Sequence, residues 1–444
     1  MKFRASRAVI GVCLLAWVAT AKAQPVLESS PSAPLVPPSL RDAAASSPFT
    51  LPGAAVASGS LLRWGPLDLN PPGLSDSFIY SDGLQASPGH LTNTYVNSLS
   101  ATLLLDIGTH WALNYTPTWK IYTNRAFQNS VDHALDLAGG AQFGDWLTQF
   151  TEAYSSTNTP LIETGRQTKQ QTSTTTFGVS HRFNDRWSLE LEGAQNLQFI
   201  DASPDNYDWS TQGQLTFRPG AKLELSLGYR LGLTDFDPGA YMTYSQPQAE
   251  VRWRVADKLT LSVQGGREQS QVHKTGLTRQ NTPTWNVSAQ YQPFDHTKLT
   301  LRATRSVTPS TLGTGATNNV TNNQGWTAEI EQRLLGHFNL DAGLSQQKTH
   351  FSGTHVEFIP NVSQDDVLDG DGNVIGTITT TSFTPETVID LRNDSTRTFH
   401  LRLATSVMKH GTIALSYART RNISDAAGFS FTSHQIGCEV GYHW

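Results

Sequence analysis

The sequence predicts an all-β fold: a transmembrane, antiparallel, up-and-down β-barrel of about eighteen strands, with sixteen as the alternative count. Three observations predict it. The chain opens on a short apolar leader, it closes on a strand of alternating polarity, and the residues between repeat a tight turn followed by a strand of period two. The barrel itself is predicted to occupy residues 69–444.

The leader has the three parts of a secretory signal peptide. A positively charged n-region ends at Arg7, residues 8–20 are mostly apolar, and Ala21-Lys22-Ala23 matches an A-x-A cleavage site. Because the apolar stretch is too short to span a bilayer, a cleaved signal peptide (1–23) is favoured over an uncleaved anchor. Residues 24–68 are rich in Pro, Ser and Ala, which predicts a disordered periplasmic lead-in.

Composition narrows the ways in which this chain can cross a membrane. The mean hydropathy is −0.34 and 38% of the residues are apolar. No stretch after residue 23 approaches the ~20 apolar residues of a spanning helix, and a closed barrel is the remaining solution. A net charge of −5 argues against nucleic acid as a partner. Cys438 is the one cysteine after the leader, so no intramolecular disulfide is expected.

Tight turns alternate with longer polar connections along the chain. Compact turns precede strands in NDRWSLEL at 184, GAKLELSL at 220 and ADKLTLSV at 256. Polar connections such as SDGLQASPGH at 81 are predicted to be extracellular loops, and the longest is expected at about 354–393. An even strand count places both chain termini in the periplasm, in a bacterial outer membrane.

Alternation assigns the two faces of the predicted strands. Leu223, Leu225 and Leu227 share one face, and Glu224 and Ser226 share the other. The apolar face is expected to contact lipid and the polar face to line the lumen; a soluble sandwich is the alternative. Aromatic residues that follow short turns are predicted to form the periplasmic aromatic girdle: Trp111, Trp146, Trp187 and Phe338.

The lumen charges are the predicted functional residues, as a wall that sorts solutes by size and charge. The alternative is a wet wall of paired charges with no selective role. The selectivity candidates are Arg218, Arg230, Arg252, Arg254, Glu224, Glu250, Arg302, Glu329 and Glu331. Further inward charges are predicted at Lys298, Arg333, Arg402, Asp106, Glu190, Glu192, Asp341 and Glu439. The four arginines on neighbouring strands, from Arg218 to Arg254, are expected to create a local positive potential.

The sequence contains few signals of catalysis or of metal binding. The chain has no G-x-S-x-G, H-E-x-x-H, P-loop or C-x-x-C motif, so a non-enzymatic protein without a cofactor is predicted. Asp369, Asp371 and Asn373 resemble a calcium loop, but Val374 stands where an EF-hand requires Gly. A hairpin tip is the favoured interpretation, and no metal site is predicted.

The two ends of the predicted barrel resemble known bacterial proteins. The last strand places Val440, Tyr442 and Trp444 on one face, which is similar to the closing strand that the barrel-insertion machinery reads. RWGPLDLNP at 63–71 and FIYSDGL at 78–84 resemble the opening of outer-membrane β-barrel porin families.

The resemblance covers about residues 63–444 and implies a water-filled pore for passive diffusion of small hydrophilic solutes. The alternative is a structural barrel, or an accessory of exopolysaccharide export. The implied partners are outer-membrane lipids, the insertion machinery and small solutes, and a homo-oligomer is left open.

Overall fold

In a computed structural model of this chain, the described residues form twenty strands. The structure describes residues 61–161, 164–201, 205–236, 240–273, 279–309, 320–368, 374–408 and 410–443. The strands are β1 (Leu62–Trp64), β2 (Leu67–Leu69), β3 (Gly73–Ser87), β4 (His90–Ile107), β5 (Trp111–Tyr122), β6 (Ser130–Phe143), β7 (Trp146–Leu161), β8 (Arg166–Arg182), β9 (Trp187–Ile200), β10 (Asn206–Gly220), β11 (Leu223–Phe236), β12 (Ala240–Ala256), β13 (Leu259–His273), β14 (Gln280–Phe294), β15 (Thr297–Pro309), β16 (Val320–Leu334), β17 (Phe338–Leu368), β18 (Val374–Val407), β19 (Gly411–Ser424) and β20 (Phe431–His443).

Strands β3 to β20 close into one barrel. Each pairs antiparallel with the next along the chain, and β20 pairs with β3, from His434 opposite Asp82 to His443 opposite Gly73. The predicted all-β, up-and-down barrel of about eighteen strands is therefore confirmed. Among the described residues, no helix is long and apolar enough to cross a membrane.

The barrel wall has the reverse polarity of a soluble protein. In β11, Leu227 leaves 69% of its surface exposed, whereas Ser226 and Thr234 on the opposite face are 3% and 0% exposed. Leu225, Tyr229, Leu231 and Leu233 of β11 are likewise exposed on the outside. An exposed apolar outside around a polar inside is the distribution of a barrel surrounded by lipid.

The connections at the two ends of the barrel differ in length. The end that we call the turn rim has eight turns of two to four residues: 108–110, 144–145, 183–186, 221–222, 257–258, 295–296, 335–337 and 408–410. The other end, the loop rim, has nine connections of two to ten residues: 88–89, 123–129, 162–165, 201–205, 237–239, 274–279, 310–319, 369–373 and 425–430. The chain both enters and leaves the barrel at the turn rim.

Two segments predicted from polar composition to be extracellular loops are mostly paired strands. β3 continues to Ser87 and β4 begins at His90, so the predicted loop 81–90 is a hairpin that bulges after Ser81 and Gln85. The predicted loop 354–393 pairs along almost its whole length within β17 and β18. Many Thr, Val and Ile residues from Val374 onward favour the extended backbone, and pairing satisfies its polar groups.

A short hairpin occupies the start of the described chain. Residues 61–68 were expected in the disordered lead-in, but β1 and β2 pair with each other, and β2 pairs with the end of β4 at Ile107. Pro71 and Pro72 lack backbone donors and interrupt the ladder between β2 and β3. Residues 1–60, which include the predicted signal peptide and most of the lead-in, lie outside the described residues.

The aromatic residues predicted to follow short turns open four strands. Trp111, Trp146, Trp187 and Phe338 are the first residues of β5, β7, β9 and β17, all at the turn rim. Trp146, Trp187 and Phe338 are exposed on the outer face. A girdle of aromatic side chains around one end of a barrel is typical of a membrane–water boundary.

Candidate functional site: the charged lumen wall

Four charged residues form a connected network on the lumen face of β10 to β12, near the turn rim. Arg218 Nε donates to Glu224 Oε1 at 2.9 Å, and Arg252 Nη2 lies 3.6 Å from Glu250 Oε1. Glu224 and Arg252 are direct cross-strand neighbours, which joins the two pairs. We call these four residues the turn-side network. Its two cations and two carboxylates give it no net charge.

A second group lies nearer the loop rim, around Arg230. Its guanidinium donates to Ser210 Oγ at 3.1 Å and lies 5.6 Å from the centre of the Tyr244 ring. The Tyr244 hydroxyl in turn lies 3.2 Å from both carboxylate oxygens of Asp208, which also accepts a hydrogen bond from Thr234 at 2.7 Å. Gly232 leaves the space that the Tyr244 ring fills, since a Cβ there would overlap it.

Carboxylates outnumber cations on this part of the lumen wall. The described lumen face of β9 to β13 carries four arginines and six carboxylates, the latter being Glu190, Glu192, Asp208, Glu224, Glu250 and Glu268. Glu192 and Glu268 lie close enough to Arg230 to interact with it electrostatically. Strand pairing places acids near three of the four predicted arginines, whereas Arg254 is exposed near the turn rim; the expected local positive potential stays a prediction.

The remaining predicted lumen residues form a second charged sector. Lys298 Nζ lies 2.9 Å from Glu331 Oε1, and Arg402 lies 3.2 Å from Glu439 and 3.9 Å from Asp341. The other predicted residues are placed singly on the same face: Arg302 is exposed between Ser288 and Thr327, Glu329 lies opposite Thr300, Asp106 accepts from Asn70, and Arg333 donates to the Gly336 carbonyl at the turn rim.

Two buried ion pairs were missed by the sequence analysis. Lys120 Nζ lies 2.6 Å from Asp132 Oδ2. Arg392 forms a two-point contact with Asp394. Arg392 also lies over the Phe429 ring, at 3.7 Å from its centre. The Arg-x-Asp spacing in β18 was an available signal, but it stood at the end of a segment interpreted as a loop.

The hairpin tips of the loop rim converge over the lumen. Gly89 donates to the Gly428 carbonyl at 2.7 Å, and Gly165 packs against Pro88. The β3–β4 hairpin and the β7–β8 hairpin are four strand positions apart in the sheet, which is about 19 Å along a straight wall. Their contact requires the hairpins to bend inward, which narrows the mouth of the barrel.

The opposite side of the mouth is also narrowed. Val307 of β15 packs against Met242 of β12, three strands away in the sheet. The barrel interior around Arg230 is therefore reached from the loop rim through a restricted opening.

The other predicted sites are placed as follows. Tyr442 and Val440 are exposed on the outer face of β20, and Trp444 lies outside the described residues. Asp369, Asp371 and Asn373 of the calcium-like loop lie outside them as well. In the part of the chain that the structure describes, no group of three His, Cys, Asp or Glu residues could hold a metal ion.

Comparisons with known proteins give likenesses in structure only. No protein-family model matches the sequence, and no curated protein matches it. The fold is similar to the outer membrane protein OpdK of Pseudomonas aeruginosa, at 12% identity over 84% of this chain and 98% of that chain, with a TM-score of 0.40.

OpdO of Pseudomonas aeruginosa is similar at 8% identity over 84% of this chain and 96% of that chain, with a TM-score of 0.43. OccAB3 of Acinetobacter baumannii is similar at 9% identity over 84% of this chain and 99% of that chain, with a TM-score of 0.40. The closure of eighteen strands itself confirms the fold expected from the resemblance to outer-membrane β-barrel porins.

Proposed function

We propose that this protein is a pore for passive diffusion of small hydrophilic solutes across a bacterial outer membrane. The observation that carries the proposal is the reversed polarity of a closed barrel of eighteen strands. Barrels of sixteen to eighteen strands leave an aqueous channel, and a polar, charged lumen face is the surface that such a channel requires.

The proposed orientation places the turn rim in the periplasm. Short periplasmic turns and longer external hairpins are typical of outer-membrane barrels, and the described connections differ in this sense. A secretory leader and an alternating last strand agree with export and insertion by the barrel-insertion machinery.

The charges of the lumen favour cations over anions. Six carboxylates face four arginines on β9 to β13, so small cations gain from the local field while anions are repelled. The converging hairpin tips favour small solutes, because they reduce the opening at the loop rim. Solute size is therefore set at the mouth and ion preference in the barrel.

Planar-bilayer recording of the purified protein tests the pore. Under a salt gradient, we expect open channels whose reversal potential has the sign of a cation-selective pore. Arg252→Gln with Arg254→Gln should increase the cation preference, since two positive charges leave the lumen. The shift should shrink at 1 M salt, where the Debye length is about 3 Å.

The matched control removes two positive charges from the outside of the wall. Lys169 and Arg267 are exposed on the outer face near the loop rim, so Lys169→Gln with Arg267→Gln should leave the reversal potential at its wild-type value. A folded protein without conductance would refute the pore and support the structural alternative. An equal shift in both double variants would remove the lumen arginines as determinants of selectivity.

A further inference from the structure

Five cations lie together on the outside of the barrel, near the loop rim. They are Arg305 of β15, Lys348 of β17, Arg397 of β18, and Arg419 and Arg421 of β19; we call them the outer basic cluster. All but Arg305 are exposed. They alternate with buried lumen residues such as Thr420 and Asn422, which places them on the outer face.

Strand register brings these cations close to one another. Arg397 stands directly opposite Arg421 in the β18–β19 ladder, and Arg419 stands opposite Phe399. Lys348 and Arg305 are both paired with Gln324 from its two sides. Cross-strand neighbours have Cβ atoms about 5 Å apart, and like charges in that arrangement destabilise a sheet. A cluster of this kind is stabilised by an anion from outside the chain.

The chain supplies little countercharge of its own. None of the five cations makes an ion pair within the described residues, and no Asp or Glu lies on the outer face in the parts of β15 to β20 whose side chains the structure describes. Asp425, in the turn after β19, is a carboxylate at the edge of this surface. It already accepts hydrogen bonds from the backbone and side-chain amides of Asn393, at 2.8 and 2.7 Å.

A groove accompanies the cluster. A cavity of about 660 Å³ opens on this side of the barrel, and Arg305, Lys348, His350 and Ile423 are among its lining residues. Asp425 also lines it. Asp394, which forms an ion pair with Arg392, lines it too. The lining therefore has three groups that can carry positive charge and two carboxylates, one of which is already paired.

The cluster lies at the level of lipid headgroups. From Arg397 toward the turn rim, the outer face of β18 becomes apolar at Phe399 and Leu401, and that of β19 follows with Tyr417 and Leu415. Aromatic rings mark the membrane–water boundary, and cations just beyond them face the charged groups of the adjacent leaflet.

We propose that the outer basic cluster binds the phosphate-bearing headgroup of a lipid in the leaflet that surrounds the loop rim. The guanidinium groups of Arg397 and Arg421 give planar donors for phosphate oxygens, and the groove takes the remainder of the headgroup. The acyl chains lie against the apolar side chains of β17 to β19. This inference rests on the proposed membrane location, but it does not require an open pore.

Native mass spectrometry of the full, folded protein in detergent tests the site. Bisphosphorylated lipid A is the probe, with phosphatidylcholine as a lipid that has a neutral headgroup. Saturable lipid A adducts are expected. The cluster variant combines three substitutions: Arg397→Gln, Arg419→Gln and Arg421→Gln. Its affinity for lipid A should fall about fivefold for each cation removed, because a surface cation contributes about 1 kcal/mol toward binding an anionic lipid.

The control triple variant removes the same charge elsewhere. Arg125, Lys169 and Arg267 are exposed toward the loop rim but lie outside the cluster, so Arg125→Gln, Lys169→Gln, Arg267→Gln should retain wild-type affinity for lipid A. Heat-modifiable migration on a gel shows that each variant is folded.

Three results would overturn the lipid site. Equal losses in the two triple variants would indicate a general effect of net charge. Displacement of lipid A by millimolar inorganic phosphate would indicate a site for free anions, and a dimer mass lost only in the cluster variant would assign the surface to a second copy of the chain.

Conductance of the same preparations separates this inference from the proposed function. A protein that binds lipid A through the cluster but carries no current would refute the pore and keep the site. A conducting protein whose two triple variants bind alike would keep the pore and refute the site.

Discussion

Arginines on the two sides of this wall have opposite surroundings. In the lumen, Arg218 lies 2.9 Å from a glutamate oxygen and Arg252 lies 3.6 Å from another. On the outer face, Arg397 and Arg421 stand opposite each other, and neither makes an ion pair within the described residues. Both sets alternate with residues of the other face, so the strand pattern alone does not distinguish them.

The difference shows what each environment requires of a cation. Against the lumen wall, side chains lose part of their contact with water, so a charge is stabilised by an opposite charge on the next strand. At the loop rim, the outer face meets water and lipid headgroups, which can supply the counterion. Charge pairing inside therefore serves stability, and its absence outside leaves groups available to an external ligand.

The largest expected effect comes from breaking a buried lumen pair. Lys120 and Asp132 are each 8% exposed, with 2.6 Å between Nζ and Oδ2. Lys120→Met leaves Asp132 with the Ser130 hydroxyl and the Asn158 amide as its partners. Removing one partner of a buried pair costs about 3–5 kcal/mol, which denaturant unfolding followed by heat-modifiability would measure.

Lys298 gives the matched control for that substitution. Its distance to Glu331 is 2.9 Å, but the two side chains are 34% and 41% exposed. Solvent-exposed pairs contribute at most about 1 kcal/mol, so Lys298→Met should have a small effect on the free energy of unfolding. If both variants lose the same stability, burial is not what makes the lumen pairs important.

A second substitution tests what the outer face requires of a cation in the middle of a strand, away from the loop rim. Leu227 lies in the middle of β11 with 69% of its surface exposed. Leu227→Arg should cost about 2–4 kcal/mol, the range for arginine in the centre of a bilayer. The free energy of unfolding from lipid vesicles is the measurement.

The control for this variant places arginine on the lumen face. Thr300 is half-exposed there and stands opposite Glu329, which would pair with the new guanidinium. Thr300→Arg should therefore be nearly neutral. An equal loss in the two variants would mean that the outside of the barrel does not contact hydrocarbon.

Much of the fold followed from the sequence, for a physical reason. A side-chain period of two is visible without knowing the partners of a strand, so β11 and the starts of β5, β7 and β9 were predicted correctly. The long hairpin of β17 and β18 was not, because polar residues such as those from Asp365 to Asn373 resemble a loop. Cross-strand pairing is a non-local interaction and overrides that local preference.

The candidate site was harder to predict than the fold. The inward position of Glu224 and Arg230 follows from alternation, but their neighbours depend on the register between strands. Asp208 follows a polar stretch rich in turn-forming residues, yet β10 begins at Asn206 and carries Asp208 toward Tyr244. One residue of slip would reverse the face of the whole strand, so loop lengths decide which charges meet.

The smallest expected effect concerns Asp425, a carboxylate beside the outer basic cluster. The backbone amide of Asn393, and then its side-chain amide, donate to Asp425 and hold the pKa of that carboxyl below its usual range. Because the pKa is lower in the folded state than in the unfolded state, ionised Asp425 stabilises the fold above its unfolded pKa. That contribution is lost as the pH falls through the folded pKa.

Asp425→Asn should therefore lower the denaturant midpoint slightly at neutral pH, and the difference from wild type should vanish in acid. Asn393→Ala should raise the pKa of Asp425 toward its usual value, which selective ¹³C labelling of aspartate carboxyls would detect. If Asp425 titrates unchanged in Asn393→Ala, it is not held by Asn393 and remains free to neutralise the outer arginines. In that case the contrast between a paired lumen and an unpaired outer cluster would be weaker than the described contacts indicate.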